Sequence, residues 1–178
     1  MRYLIDTKDL DPQTELAVYR LALAWAATRG ERFTLSLQPG VYDNLEDVER
    51  LYALGEVEPV VPSEASSDFL GRLLSKVFRR PEETVLVRGN INEAFVRELT
   101  RISAPDRAIS GDVSPVEDVQ ALAGERVLYG VYDYGRDQVF DLTDEELESV
   151  REALEDAGIE PTILIAAPPY LTNNGLEM

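Results

Sequence analysis

The sequence predicts a single α/β or α+β domain, with a central mixed β-sheet of about five to six strands packed with helices. Three observations lead there. Strand-length apolar runs alternate with stretches in which apolar residues recur at helical spacing, the order expected of a sheet covered by helices. A hairpin signal near residues 127–141 adds an antiparallel pair to otherwise parallel ones. The chain has 178 residues, enough to bury one core without staples, and no Cys with which to make any. A ferredoxin-like α+β sheet with helices on one face is the alternative. The domain is expected to span 1–169, with a loosely held C-terminal tail over 170–178.

Taken in order, Arg2 to Asp6 is a first strand, Pro12 to Arg29 a long helix and Arg32 to Leu37 a second strand. The helix is apolar almost all round from Leu16 to Ala27, so it is expected to be buried on more than one side. Asp11-Pro12 marks its start, and Gly30 can take the left-handed conformation that ends it. Asn44 caps a helix over Leu45–Leu54, with Leu45, Val48, Leu51 and Tyr52 on one face. Glu56 to Ala65 carries Pro59 and Pro62, which make it an extended crossover or an edge strand.

Ser66-Ser67-Asp68 opens the next helix, whose apolar stripe is Phe69, Leu70, Leu73, Leu74, Val77 and Phe78. Its other side carries Arg72, Lys76, Arg79 and Arg80, and Pro81 stops it. Thr84 to Arg88 is a strand buried on both faces. Gly89-Asn90-Ile91-Asn92 turns the chain into a helix over Glu93–Arg101, and 103–112 is a loop. Ser114-Pro115-Val116-Glu117 has the pattern of a capping box and predicts a short helix that buries Val116, Val119 and Leu122 and ends at Gly124. Val127–Tyr132 and Gln138–Asp141 form the hairpin, which gathers Tyr129, Tyr132 and Tyr134. Thr143 to Glu146 is a second capping box. It opens a helix with Leu147, Val150, Ala153, Leu154 and Ala157 inward and Glu145, Glu148, Glu152, Glu155 and Asp156 outward. Thr162–Ala167 is a last, buried strand before Pro168 and Pro169.

Composition narrows the function classes. There is no His and no Cys, so no thiolate chemistry, no Ser–His pairing and no imidazole metal ligand is available. The formal charge is −17, which repels nucleic-acid phosphates and anionic membranes and suits a basic protein partner. Residues 1–71 carry net −7, residues 72–107 net +3 and residues 108–178 net −13, so the middle third is where an anion is welcome. No leader sequence is expected, no run approaches the ~20 apolar residues that span a bilayer, and the expected location is the cytoplasm.

Two places attract attention as sites. Asp6 stands at the carboxyl end of the first strand, where α/β folds often put catalytic acids. Tyr3-Leu4-Ile5-Asp6-Thr7 resembles the opening of PIN-domain nucleases, and the resemblance implies a first-strand acid that joins later acids to hold magnesium. It covers five residues, Lys8 stands where the family usually has Asn, and no later stretch resembles the family's acidic motifs. No metal role is therefore carried over, no cofactor is expected, and Asp6 stays as a catalytic candidate alone. The second place is the strand–turn–helix at 84–101. There Arg88, Asn90 and Asn92 are candidates for binding a small anionic ligand, because strand ends and helix N-termini offer free N–H groups. Asn92 is also fully explained as a helix cap.

The expected function is that of a non-catalytic interaction protein of bacterial or archaeal type, immunity-like or regulatory, with a basic protein partner and with homo-oligomerisation left open. The alternative is an enzyme or small-molecule binder that recognises an anionic or phosphorylated ligand at strand ends.

Overall fold

In a computed structural model, residues 1–42, 44–59, 84–103 and 113–167 are described. The basic helix expected over 66–80, most of the 103–112 loop and the 170–178 tail lie outside them. The described strands are β1 (Arg2–Ile5), β2 (Arg32–Leu37), β3 (Glu56–Pro59), β4 (Val85–Asn90), β5 (Asp118–Ala123), β6 (Arg126–Tyr132), β7 (Asp137–Asp141) and β8 (Leu164–Ala166). The helices are α1 (Pro12–Ala27), α2 (Leu45–Tyr52), α3 (Glu93–Ile102) and α4 (Asp144–Asp156).

All eight strands join one sheet in the order β3-β4-β2-β5-β6-β7-β1-β8. Every neighbouring pair is antiparallel. The α+β class agrees with expectation, but five to six strands is an undercount, and the mixed sheet is corrected to an antiparallel one. Helix α1 carries the chain from β1 to β2 over three intervening strands, since β5, β6 and β7 lie between them.

The largest correction concerns residues 114–123. The predicted helix is instead the approach to β5 and β5 itself. A capping box needs the Glu117 N–H on the Ser114 side chain, but that N–H donates to Ser36 O at 3.0 Å. Ser114 Oγ accepts from Val116 N at 3.2 Å instead, which makes a local turn. From Asp118 onward the chain alternates, with Val119 and Ala121 fully buried on one side and Gln120 half-buried on the other. The spacing of Val116, Val119 and Leu122 fits a helix equally well, and pairing with β2 and β6 settles the outcome.

Register places Phe33, Leu35, Val87, Val119, Ala121, Tyr129 and Phe140 on one face, all 0–1 % exposed. The helices cover that face. Phe95 of α3 stacks on Phe33 at 4.5 Å, and Trp25 of α1 meets the Phe140 ring edge-on at 5.5 Å. Helix α1 packs against α3 and α4, and α2 packs against α3. Its apolar circumference is explained: the exposed positions are Gln13, Ala17 and Ala24, so alanine occupies most of the solvent stripe. Gly30 is not left-handed. A Cβ there would lie 2.7 Å from Ile91 Cδ1, so the glycine serves close approach. Between α2 and α3, Glu98 is nearly buried, and hydrogen bonds from Arg101 and then Arg97 hold its carboxyl below the usual range.

Among the described residues, the terminal strands β3 and β8 are the edges of the sheet. Residues 56–59 of β3 are all exposed, in line with the edge-strand reading. The 162–167 strand was expected to be buried, but it is reduced to three residues, with Ile165 and Ala166 exposed, because β8 has a neighbour on one side only among the described residues.

Candidate functional site

Arg88, Asn90 and Asn92 line one cleft of about 750 Å³, together with Arg32, Thr34 and Glu56. Antiparallel pairing explains the convergence. Arg32 lies opposite Asn90 and Thr34 opposite Arg88, so these four side chains share the sheet face away from the helices. Arg32 and Arg88 are thus diagonal neighbours, within reach of one small ligand. Asn92 arrives from the turn into α3, where its Oδ1 accepts the Phe95 N–H at 3.1 Å and caps the helix. Its amide N–H groups are not used by that bond.

The cleft is walled by the turn after α2. Leu54 and Gly55 cross so close over β4 that a Cβ on Gly89 would lie 2.8 Å from Leu54 O, and one on Gly55 would run into the Arg88 carbonyl. Two glycines are needed for this approach. Acid is present as well. Glu56 lies opposite Arg88, and Arg88 Nη1 donates to Glu58 Oε2 at 2.6 Å. Arg32 Nη2 donates to Gly124 O at 2.6 Å. Each guanidinium has five N–H donors, so these bonds leave donor capacity facing the cleft. Arg32, Glu56 and Glu58 were missed in the sequence. Their only local signal is the alternation of Glu56-Val57-Glu58 beside a strand, and their place depends on which strands pair.

Asp6 does not join this group. It follows β1, five strand positions from β4, or about 24 Å at ordinary strand spacing. Its N–H donates to Ile163 O at 2.8 Å, and its Oδ1 accepts the Lys8 N–H at 3.3 Å, so it ends a strand and starts a turn. Nearby Glu15 is buried, and burial raises its carboxyl pKa against a hydrogen bond from Thr7. Among the described residues, no three acids converge as a metal site requires.

The tyrosines of the hairpin separate. Tyr129 is in the core, with its hydroxyl donating to Gln138 Oε1 at 2.7 Å, while Tyr132 folds its ring over Gly130 on the opposite face. The outer side of α4 is a continuous acidic surface. Asp144, Glu145, Glu148, Glu152, Glu155 and Asp156 are all exposed. Arg151 is the single cation on the helix and pairs with Glu148 at 2.6 Å. Arg29 borders this surface, its guanidinium 4.4 Å over the Trp25 ring and donating to Ser149 Oγ. No helix among the described residues is long and apolar enough to cross a membrane. No family model matches the chain, and neither a curated protein nor a solved structure resembles it significantly.

Proposed function

We propose that this protein is a non-catalytic interaction domain, immunity-like or regulatory, that docks a basic protein partner on the outer face of α4. The observation behind this reading is the run of six exposed acids on one 13-residue helix, with one Arg among them. Such a surface speeds and orients encounter with a basic partner and rejects acidic ones. The test is capture of partners from lysate at low and physiological salt, repeated with Glu148→Lys and Glu152→Lys together. The expected result is a basic partner that is held by the parent protein, lost on charge reversal and weakened by salt. A partner retained by the reversed surface, or none at either salt concentration, counts against the reading.

A second reading is favoured by one observation: Arg88, Asn90 and Asn92 share a cleft with Arg32. On this reading the protein is an enzyme or small-molecule binder that takes an anionic or phosphorylated ligand there. A thermal-shift screen with nucleotides and phosphorylated metabolites tests it. If no compound stabilises the protein, or if Arg88→Ala leaves a found ligand's affinity unchanged, this reading fails.

A further inference from the structure

We propose that Glu58 is a built-in competitor at an oxyanion site: its carboxylate occupies Arg88 until a phosphate or carboxylate group, bound between Arg32 and Arg88, displaces it. The inference rests on the second reading above and adds how that site is regulated.

The site is donor-rich in the way an oxyanion requires. Two guanidiniums stand diagonally on one sheet face, with Asn90 opposite Arg32 and Asn92 at the rim. A guanidinium presents paired N–H donors that match two oxygens of a phosphate or carboxylate. In the structure the oxyanion on Arg88 is already supplied from within, because Glu58 Oε2 lies 2.6 Å from Nη1. Glu58 belongs to the edge strand β3 and lies diagonally from Arg88, since the residue directly opposite Arg88 is Glu56. The internal bond draws the guanidinium toward the sheet edge. A ligand between the two arginines would draw it the other way.

The exchange is inexpensive. Arg88 and Glu58 are 53 % and 52 % exposed, and ion pairs so open to water contribute little. Displaced Glu58 returns to water at the edge of the sheet, with no buried charge left behind. Glu56, which also lines the cleft, remains opposite Arg88 and selects against ligands that bring excess negative charge close to it.

The experiment is an NMR amide-shift titration of the full chain with inorganic phosphate and, separately, with acetate. Ionic strength is held constant with chloride. The proteins are wild type, Arg88→Gln, Glu58→Gln and Glu160→Gln. Glu160 is exposed and far along the chain from the cleft, so it controls for the general loss of one negative charge. The expected result is shifts at residues 32, 88–92 and 55–58 in the wild type. Arg88→Gln should weaken binding at least tenfold, and Glu58→Gln should tighten it by up to about fivefold, which is the range open to an exposed pair. Glu160→Gln should change it less than Glu58→Gln does. Phosphate binding more tightly than acetate marks a phosphorylated ligand, and the reverse order marks a carboxylate. If neither anion shifts the cleft residues in any of the proteins, or if Arg88→Gln binds like wild type, the anion site itself is overturned. If wild type binds through Arg88 but Glu58→Gln matches Glu160→Gln, the site stands and the competitor role of Glu58 is overturned.

Discussion

Arg126 grips both carboxylate oxygens of Glu146, with Nη1 to Oε2 at 2.8 Å and Nη2 to Oε1 at 2.7 Å. The same carboxylate accepts the Thr143 N–H at 2.8 Å and so completes the capping box of α4. One side chain therefore closes a helix terminus and ties it to β6.

The Arg126 hydrogen bonds bring the Glu146 carboxyl down from 4.5 to about 2, against the opposing effect of burial. A carboxyl whose folded pKa is depressed adds stability that is complete above 4.5 and is lost as pH falls through 2. Glu146→Gln should therefore cost about 2 kcal/mol at pH 7, in the range of a charged, doubly bonded pair that is mostly shielded from water. The gap between variant and parent should narrow through pH 4, fall to about a quarter of its pH 7 size by pH 2.5 and close only below pH 2. Urea unfolding at pH 7, 4 and 2.5 measures it, and a gap independent of pH would assign the loss to packing.

Two glycines of the β5–β6–β7 region separate backbone strain from steric conflict. Gly124 has φ 63° with open space around its missing Cβ, whereas Gly135 has φ 101° and a Cβ there would enter Val113 Cγ2. Gly124→Ala should cost about 1 kcal/mol, the left-handed penalty alone. Gly135→Ala should cost about 3 kcal/mol, since overpacking adds to the strain. Equal losses in chemical denaturation would mean that the Val113 segment yields freely.

The two predicted capping boxes show how far the sequence could be read. At Thr143 the pattern is followed by inward residues at helical spacing and outward acids throughout, and the box forms. At Ser114 the same pattern precedes residues that suit either period, and the Glu117 N–H finds Ser36 O across the sheet. Local chemistry decided the first case and a partner 81 residues away the second. The site divides likewise. Arg88, Asn90 and Asn92 were legible because a strand, a turn and a cap are local features. Arg32 and Glu58 were not, because the β2–β4 and β3–β4 registers bring them in. The same strand order places Asp6 on the far side of the sheet from the cleft.

The charge imbalance, 34 acidic against 17 basic side chains, is concentrated on α4, where Glu148 and Glu152 are like charges one turn apart. Raising NaCl from 10 mM to 0.5 M should therefore stabilise the protein by screening self-repulsion. Glu152→Lys should stabilise it by about 0.5 kcal/mol at low salt, because it places a cation four residues after Glu148 and near the helix C-terminus. It should also flatten the salt response. Melting temperatures at three salt concentrations check both, and a fall with salt would mean that the ion pairs outweigh the repulsion.

Asn92 serves two roles that one pair of substitutions separates. Its Oδ1 caps α3, which carries the fully buried Phe95 and Leu99, and its amide faces the cleft. Asn92→Ala removes both and should cost about 1 kcal/mol, as should Asn44→Ala at the start of α2, where Oδ1 accepts the Glu46 N–H at 2.9 Å. Asn92→Asp keeps the accepting oxygen, and its charge is favourable at a helix N-terminus, so stability should stay within about 0.5 kcal/mol of the parent. That same carboxylate replaces donors with negative charge at the cleft rim, so phosphate binding should weaken severalfold while the melting temperature holds. Loss of stability without loss of binding in Asn92→Asp would make Asn92 a cap alone and confine the anion site to the sheet residues.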